Sequence, residues 1–315
     1  EIKQIITIDS VFRNDYYNTN PANFTHTFPT PLNNVTRMKL VSIELPNVWY
    51  MFSSDSLDDR FTITVNNYGT SGNQSTTHEV IIPTGNYTPE ELSTIMNNYF
   101  TNTGNGLDNL LMEFNSYTGK MIIRANQDFD ATTNPKPYDN AGGNPYYSPS
   151  FSFTLDFKVG TNERRPLYRN AGWILGFRKQ TYTIDINNTY YSIADDIPAR
   201  NYKGYLETEG IYGSSINDYI YISIEDYNKN YRASIIPDNQ ESFLGNSLIG
   251  RLDVPVSKFS VIVDDSSGML LKQRDYFGPI NLEKIQISIV DKYGEIVNLT
   301  NNDYSFTLEI TSLYS

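Results

Sequence analysis

The sequence predicts an all-β fold of β-sandwich or jelly-roll type, with one or two short helices and two β lobes. Three observations carry this. The composition includes 25 Tyr and 16 Phe beside abundant Thr, Ile and Val, residues that suit pleated, half-buried surfaces. Short runs of alternating apolar and polar residues recur from end to end, separated by Gly, Pro and Asn. Strong helical spacing appears in a single stretch. At 315 residues the chain can form one large unit or two domains, with a substantial core. No fixed-period repeat points to a solenoid or propeller.

The elements follow in order. FTHTF (24–28) alternates, with Phe24, His26 and Phe28 on one face. PTPLNN (29–34) has turn chemistry. Val35–Leu45 is a strand whose apolar phase changes midway, Met38 and Leu40 in one register and Val41, Ile43 and Leu45 in the other; a bulge or burial on both faces explains such a change. Pro46 ends the strand because it has no N–H for a ladder. FTITV (61–65) and HEVIIP (78–83) add two strands. The helix spans 88–102: Thr88 stands at the N-cap, Pro89 at the first helical position and Glu91 completes a capping box. Leu92, Ile95, Met96 and Tyr99 then repeat at helical spacing.

LMEFNSYTGKMIIRA (111–125) reads as a hairpin around Ser116–Gly119. Residues 126–150, rich in Asn, Pro and Gly, have no periodicity and read as a long exposed loop. FSFTLDF (151–157) resumes alternation, and NAGWILGF (170–177) is a short apolar turn or single-turn helix capped by Gly176. The first lobe is placed at 1–180 and the second at 181–315, beginning with TYTIDI. A Tyr-rich connection over 187–217 leads to strands in DYIYISIEDY, SLIGRLDVP, FSVIVDD and MLLKQ. The end reads as a hairpin, with Ile285, Ile287 and Ile289 alternating up to a turn at Asp291–Gly294, and Phe306, Leu308 and Ile310 alternating on the return.

Composition narrows function mainly by exclusion. The hydrophobic share is 39% and mean hydropathy is −0.45, yet aromatics reach 14% and charged residues only 19%, which is not the signature of disorder. Without cysteine the chain has no disulfide framework and no thiolate nucleophile, as suits a reducing compartment. No apolar run reaches membrane-spanning length. Acidic residues outnumber basic ones 36 to 24, for a net charge of −12, which disfavours nucleic acid and anionic lipid and favours proteins or neutral glycans as partners.

Catalytic motifs are lacking. His26 and His78, the only two histidines, sit in predicted strands, and no G-x-S-x-G, HExxH, P-loop or GxGxxG pattern occurs. The pairs Asp58–Asp59, Asp195–Asp196 and Asp264–Asp265 lie in loop-like or strand-end surroundings typical of solvated turn carboxylates. No catalytic residue, cofactor or metal site is therefore expected. N-x-S/T patterns at Asn23, Asn34, Asn73, Asn86, Asn187 and Asn298 are as frequent as chance gives in a chain this rich in Asn, Ser and Thr. Aromatics that follow a strand end or sit among Asn, Gly and Pro are the candidate interface: Trp49, Tyr50 and Phe52 after Pro46, and Tyr146 and Tyr147 in NPYYSP. Tyr and Trp offer large rigid contacts with a polar tip. For Trp49, inward packing is an equal alternative.

Several phrases occur together in order: ITIDSVFRN, PTPLNNVTRMKLVSIELPNVWYMFS, IIPTGNYTPEELSTIMN, GWILGFR, and RDYFGPINLEKIQISIVDKYGEIVNLTNNDYSFTLEI. In these the chain resembles the minor capsid, capsid-associated structural proteins of nucleocytoplasmic large DNA viruses, over residues 6–310. The resemblance implies a non-enzymatic β-sandwich component of the virion, assembled in the host cytoplasm. Its partners would be the major capsid protein and other minor capsid proteins, sometimes beside the internal viral membrane, and it would be oligomeric within the capsid. A carbohydrate-binding β-sandwich of a viral fibre or receptor-binding protein, using Tyr and Trp as stacking platforms, is the alternative.

Overall fold

The computed structural model describes residues 1–56, 58–68, 73–126, 128–130, 151–158, 166–192, 200–213, 219–233, 235–236, 244–254, 258–265 and 272–314. The protein is mostly β, and every strand pairing among these residues is antiparallel. The chain divides into two compact units, one formed by Glu1–Trp49 with Asn217–Ser315 and the other by Tyr50–Ile216. This corrects the boundary expected near residue 180. TYTIDI does not open a new lobe, because its alternating side chains pair with FSFTLDF, Ile184 opposite Phe153 and Tyr182 opposite Leu155.

The first unit is built on one seven-stranded sheet. Its strands are β1 (Ile2–Asp9), β2 (Asn23–Pro46), and, after the inserted unit, β13 (Tyr219–Glu225), β14 (Leu248–Asp253), β15 (Val261–Asp264), β16 (Gln273–Val290) and β17 (Ser305–Ser312). The order is β1-β17-β2-β16-β13-β14, with β15 also paired to β2. The expected closing hairpin is corrected here. The turn at Asp291 exists, Gly294 N–H donating to Asp291 O at 3.1 Å, but β16 and β17 are not partners. Each pairs with β2, from opposite sides. Positive φ at Thr300 and Asn301 turns the chain away between them, and β2 supplies a ladder that either strand can use along most of its length.

PTPLNN is likewise not a turn but lies inside β2. The β2–β16 register breaks between Asp275 and Ile280, Ile280 and Leu282, and Leu282 and Lys284, and Asn34 takes a φ of 57°. The prolines thus stand where a ladder bond is already missing. The phase change within Val35–Leu45 is a bulge: Thr307 faces Ser42 while Leu308 faces Leu40, leaving Val41 unpaired in register. That extra residue keeps Met38, Leu40, Ile43 and Leu45 all buried. They share a core with Phe24, Ile285, Ile287, Ile289, Phe306, Leu308 and Ile310.

The second unit holds β3 (Arg60–Tyr68), β4 (Gln74–Ile81), β5 (Leu110–Asn115), β6 (Lys120–Ala125), β7 (Asp128–Asp130), β8 (Ser152–Asp156), β9 (Thr181–Asp185), β10 (Thr189–Ser192), β11 (Arg200–Lys203) and β12 (Leu206–Glu207). They form sheets ordered β4-β3-β8-β9, β12-β6-β5 and β10-β11-β7. Among its described residues the Tyr-rich connection over 187–217 therefore contains three short strands, and the long loop expected over 126–150 has one at 128–130, its remainder from 131 lying outside the described residues. Helix α1 (Pro89–Thr103) starts as its sequence requires: Glu91 N–H donates to Thr88 Oγ1 at 3.2 Å and Thr88 N–H to Glu91 Oε2 at 2.9 Å. Leu92, Met96 and Phe100 face the core, and Asn97 exchanges two 2.8 Å hydrogen bonds with the backbone of Met112, tying α1 to β5. Helix α2 (Ala171–Leu175) ends at Gly176, where φ is 108°. Gly172 within it lies against Phe157 so closely that a Cβ would fall 2.4 Å from the ring.

Candidate protein interface

The structure separates the aromatics that follow Pro46. Trp49, 5% exposed, belongs to the core of the first unit. The Lys258 ammonium lies over its ring at 5.1 Å from the centroid and donates to Trp49 O at 3.3 Å and Asn47 Oδ1 at 3.4 Å. Burial lowers the Lys258 pKa to about 8. Phe52, fully buried, belongs to the core of the second unit, where it exchanges backbone hydrogen bonds with Gly85. Trp49 thus takes the inward packing that was its equal alternative, and Phe52, expected at the interface, is buried as well. The chain passes from one unit to the next at this point, and each core takes one of the rings. Tyr50, 39% exposed, remains at the surface. Tyr146 and Tyr147 lie outside the described residues.

The residues weighed for chemistry have structural partners. His26 stacks edge-on to Phe28, and burial lowers its pKa. One ring nitrogen of His78 is 3.0 Å from Asn105 O. Asp58 accepts from Ser53 N–H, Asp59 pairs with Arg60 at 2.9 Å, and Asp264 pairs with Lys272. Asp195 and Asp196 lie outside the described residues. Among the described residues, no three His, Asp or Glu side chains gather as a metal site would need, and no helix is long and apolar enough to cross a membrane.

Two of the ionic clusters among the described residues, each built on a buried arginine, went unread in the sequence. In the first unit Arg274, 1% exposed, donates to Asp226 Oδ2 at 2.6 Å and to the carbonyls of Ile224 and Ser247 at 2.8 Å each, while Tyr276 OH donates to the same carboxylate at 2.5 Å. The second lies at the chain's N-terminal loop. Arg13 reaches Asp303 Oδ1 at 2.5 Å, and Asp303 also accepts from Ser10 Oγ at 2.7 Å and Tyr16 OH at 2.8 Å. Partial burial pushes the Asp303 carboxyl up, but these three donors and the charge of Arg13 more than offset it and hold the pKa below the usual value. Around this cluster stand exposed apolar side chains that sequence reasoning missed: Val11, Phe12 and Tyr17. Elsewhere Phe259, Val261 and Val263, on and before β15, are also exposed. In the sequence, Phe12 is marked only by its polar surroundings, DSVFRND.

No protein-family model matches the chain, and no curated protein does. Among solved structures it is similar to the mavirus penton protein, at 10% identity over 99% of this chain and 100% of that one, with a TM-score of 0.48. It is similar also to a chain of the Sputnik virophage, at 13% identity over 98% of both, with a TM-score of 0.43.

Proposed function

We propose that the chain is a non-enzymatic structural component of a large DNA virus particle, a minor capsid protein that binds neighbouring capsid proteins and stabilises the shell. The observation that carries this reading is where the family-like phrases fall. ITIDSVFRN, PTPLNNVTRMKLVSIELP, RDYFGPINLEKIQISIV and YSFTLEI come from opposite ends of the sequence, yet they form β1, β2, β16 and β17, four contiguous strands of one sheet. The remaining phrases supply α1 and α2 of the second unit. The resemblance therefore follows a folded framework rather than scattered strand-and-turn grammar. Particles purified from cells infected with the virus that encodes the chain provide the test. The chain is expected at fixed stoichiometry after a high-salt wash, and density from cryo-EM is expected between or beneath capsomers. Density confined to the fivefold vertices would make it a penton protein instead. Release by detergent together with glycan binding would replace the capsid reading by that of a surface binding module.

A further inference from the structure

The loop from Ser10 to Thr19 is shaped from within by one buried side chain. Arg13, 6% exposed, donates through Nη1 to Ser10 O at 2.8 Å, through Nη2 to Tyr16 O at 3.0 Å, and through Nε to Thr19 Oγ1 at 3.1 Å and Thr19 O at 3.3 Å. Its guanidinium also lies 4.0 Å from the Tyr16 ring centroid. Since one planar group holds the carbonyls of Ser10, Tyr16 and Thr19, the loop is closed upon itself and fixed in shape. Thr19 Oγ1 and Asn18 Nδ2 add bonds to Asp15. What this frame presents outward is apolar: Phe12 is 83% exposed and Tyr17 is 93% exposed, with Val11 beside them. Aromatic side chains carried on a backbone fixed in this way spare the cost of ordering the loop on docking, as interface anchors require.

The charge around them selects the partner. Asp9 and Asp15 flank the apolar residues, and the single cation of the loop, Arg13, is already neutralised by Asp303. The tip is therefore acidic on a chain of net charge −12. Like charge disfavours a second copy, and anionic lipid is disfavoured for the same reason. We propose that Val11, Phe12 and Tyr17 dock as a preformed anchor into an apolar cleft, rimmed by Lys and Arg, on a different protein of the same particle. The place of that partner rests on the capsid reading above; the anchor and its chemistry rest on the loop.

The test places a photoreactive benzoylphenylalanine at position 12 or 17 in assembling particles. Crosslinking to a second protein, at a site with apolar residues bordered by Lys or Arg, is expected. In parallel, the Phe12→Ala/Tyr17→Ala variant should keep the melting curve of the unaltered chain while its incorporation falls by about thirtyfold, the factor that truncating a hot spot produces. Phe12→Leu/Tyr17→Phe should restore incorporation. Asp9→Asn/Asp15→Asn, which keeps the local acceptors, should weaken incorporation and flatten its dependence on salt. Crosslinks only to another copy, only to lipid or to nothing, from chains that are present in particles, would overturn the anchor and leave the capsid reading standing. Absence of the unaltered chain from particles would overturn both.

Discussion

Replacing Arg274 by Met removes a guanidinium that is almost completely buried and keeps most of the side-chain volume. The Asp226 carboxylate, whose side chain is 0% exposed, would retain only Tyr276 OH and the Asn228 N–H at 2.9 Å. The carbonyls of Ile224 and Ser247 would each lose a charged donor. Breaking a buried pair from one side costs about 3–5 kcal/mol, because the remaining charge is left without its counterion. Arg274→Met should therefore destabilise the first unit by about 4 kcal/mol, and Asp226→Leu, which leaves the buried guanidinium without its counterion, by a similar amount. The double variant Arg274→Met/Asp226→Leu should cost less than either single change, since it leaves no uncompensated charge. Fluorescence in a urea titration can isolate the relevant unit. The chain has two tryptophans, Trp49 in the first unit and Trp173 in the second, so a Trp173→Phe background leaves Trp49 as sole reporter. Single-variant costs that add in the double variant to within about 0.5 kcal/mol would refute the coupling.

Three further outcomes are expected. Trp49→Ala should cost about 3–5 kcal/mol of stability, whereas Tyr50→Ala should stay within about 0.5 kcal/mol; comparable values for the two in thermal or urea unfolding would contradict their placement. Lys258 titrates at about 8 when folded against 10.5 ordinarily, so between those pH values the unfolded chain binds more protons and stability should rise with pH. Relative to Lys258→Met measured at each pH, the gain should reach at most about 3 kcal/mol, reduced by what the Trp49 ring returns to the cation; a flat difference across pH 8–10.5 would refute it. Gly172→Ala should destabilise the second unit by about 1–3 kcal/mol, because its Cβ would meet the Phe157 ring, which stacks on Phe177 at a centroid distance of 4.9 Å. An unchanged unfolding midpoint for the Trp173 signal would show that the ring gives way freely.

What could be read from the sequence was what neighbours in the chain decide. The capping box at Thr88, Pro89 and Glu91 involves groups three residues apart, and α1 begins where those residues place it. Alternation in FTITV, FSFTLDF and SFTLEI is equally local, and so is the frameshift that a bulge at Val41 resolves. Partnership was not legible. Ile285 and Phe306 announce buried strand faces, but only the intervening β2, far away in sequence, determines that their strands never meet. PTPLNN carries turn residues, and a long strand tolerates them because the facing strand is irregular at the same level. Burial of Trp49 depends on the segment around Lys258, and that of Phe52 on Gly85. Display of Phe12 depends on Arg13 and Asp303, which are 290 residues apart. Such pairings leave no local trace in composition or period.

The first unit is interrupted by the second, and this sets an order for synthesis. Tyr50–Ile216 is continuous and can close as soon as it leaves the ribosome. Strand β2 cannot, since its ladders are with β15, β16 and β17. From Pro46 to Val261, where the first of these partners begins, there are 261 − 46 = 215 residues, which at roughly 5–20 residues per second means a wait of about 10–43 s. Through that interval a 24-residue strand, carrying Phe24, Phe28, Met38, Leu40, Ile43 and Leu45, is held on the nascent chain with both edges open to any passing partner. The yield of folded protein should therefore depend on translation rate and on holdase chaperones as well as on the stability of the finished fold.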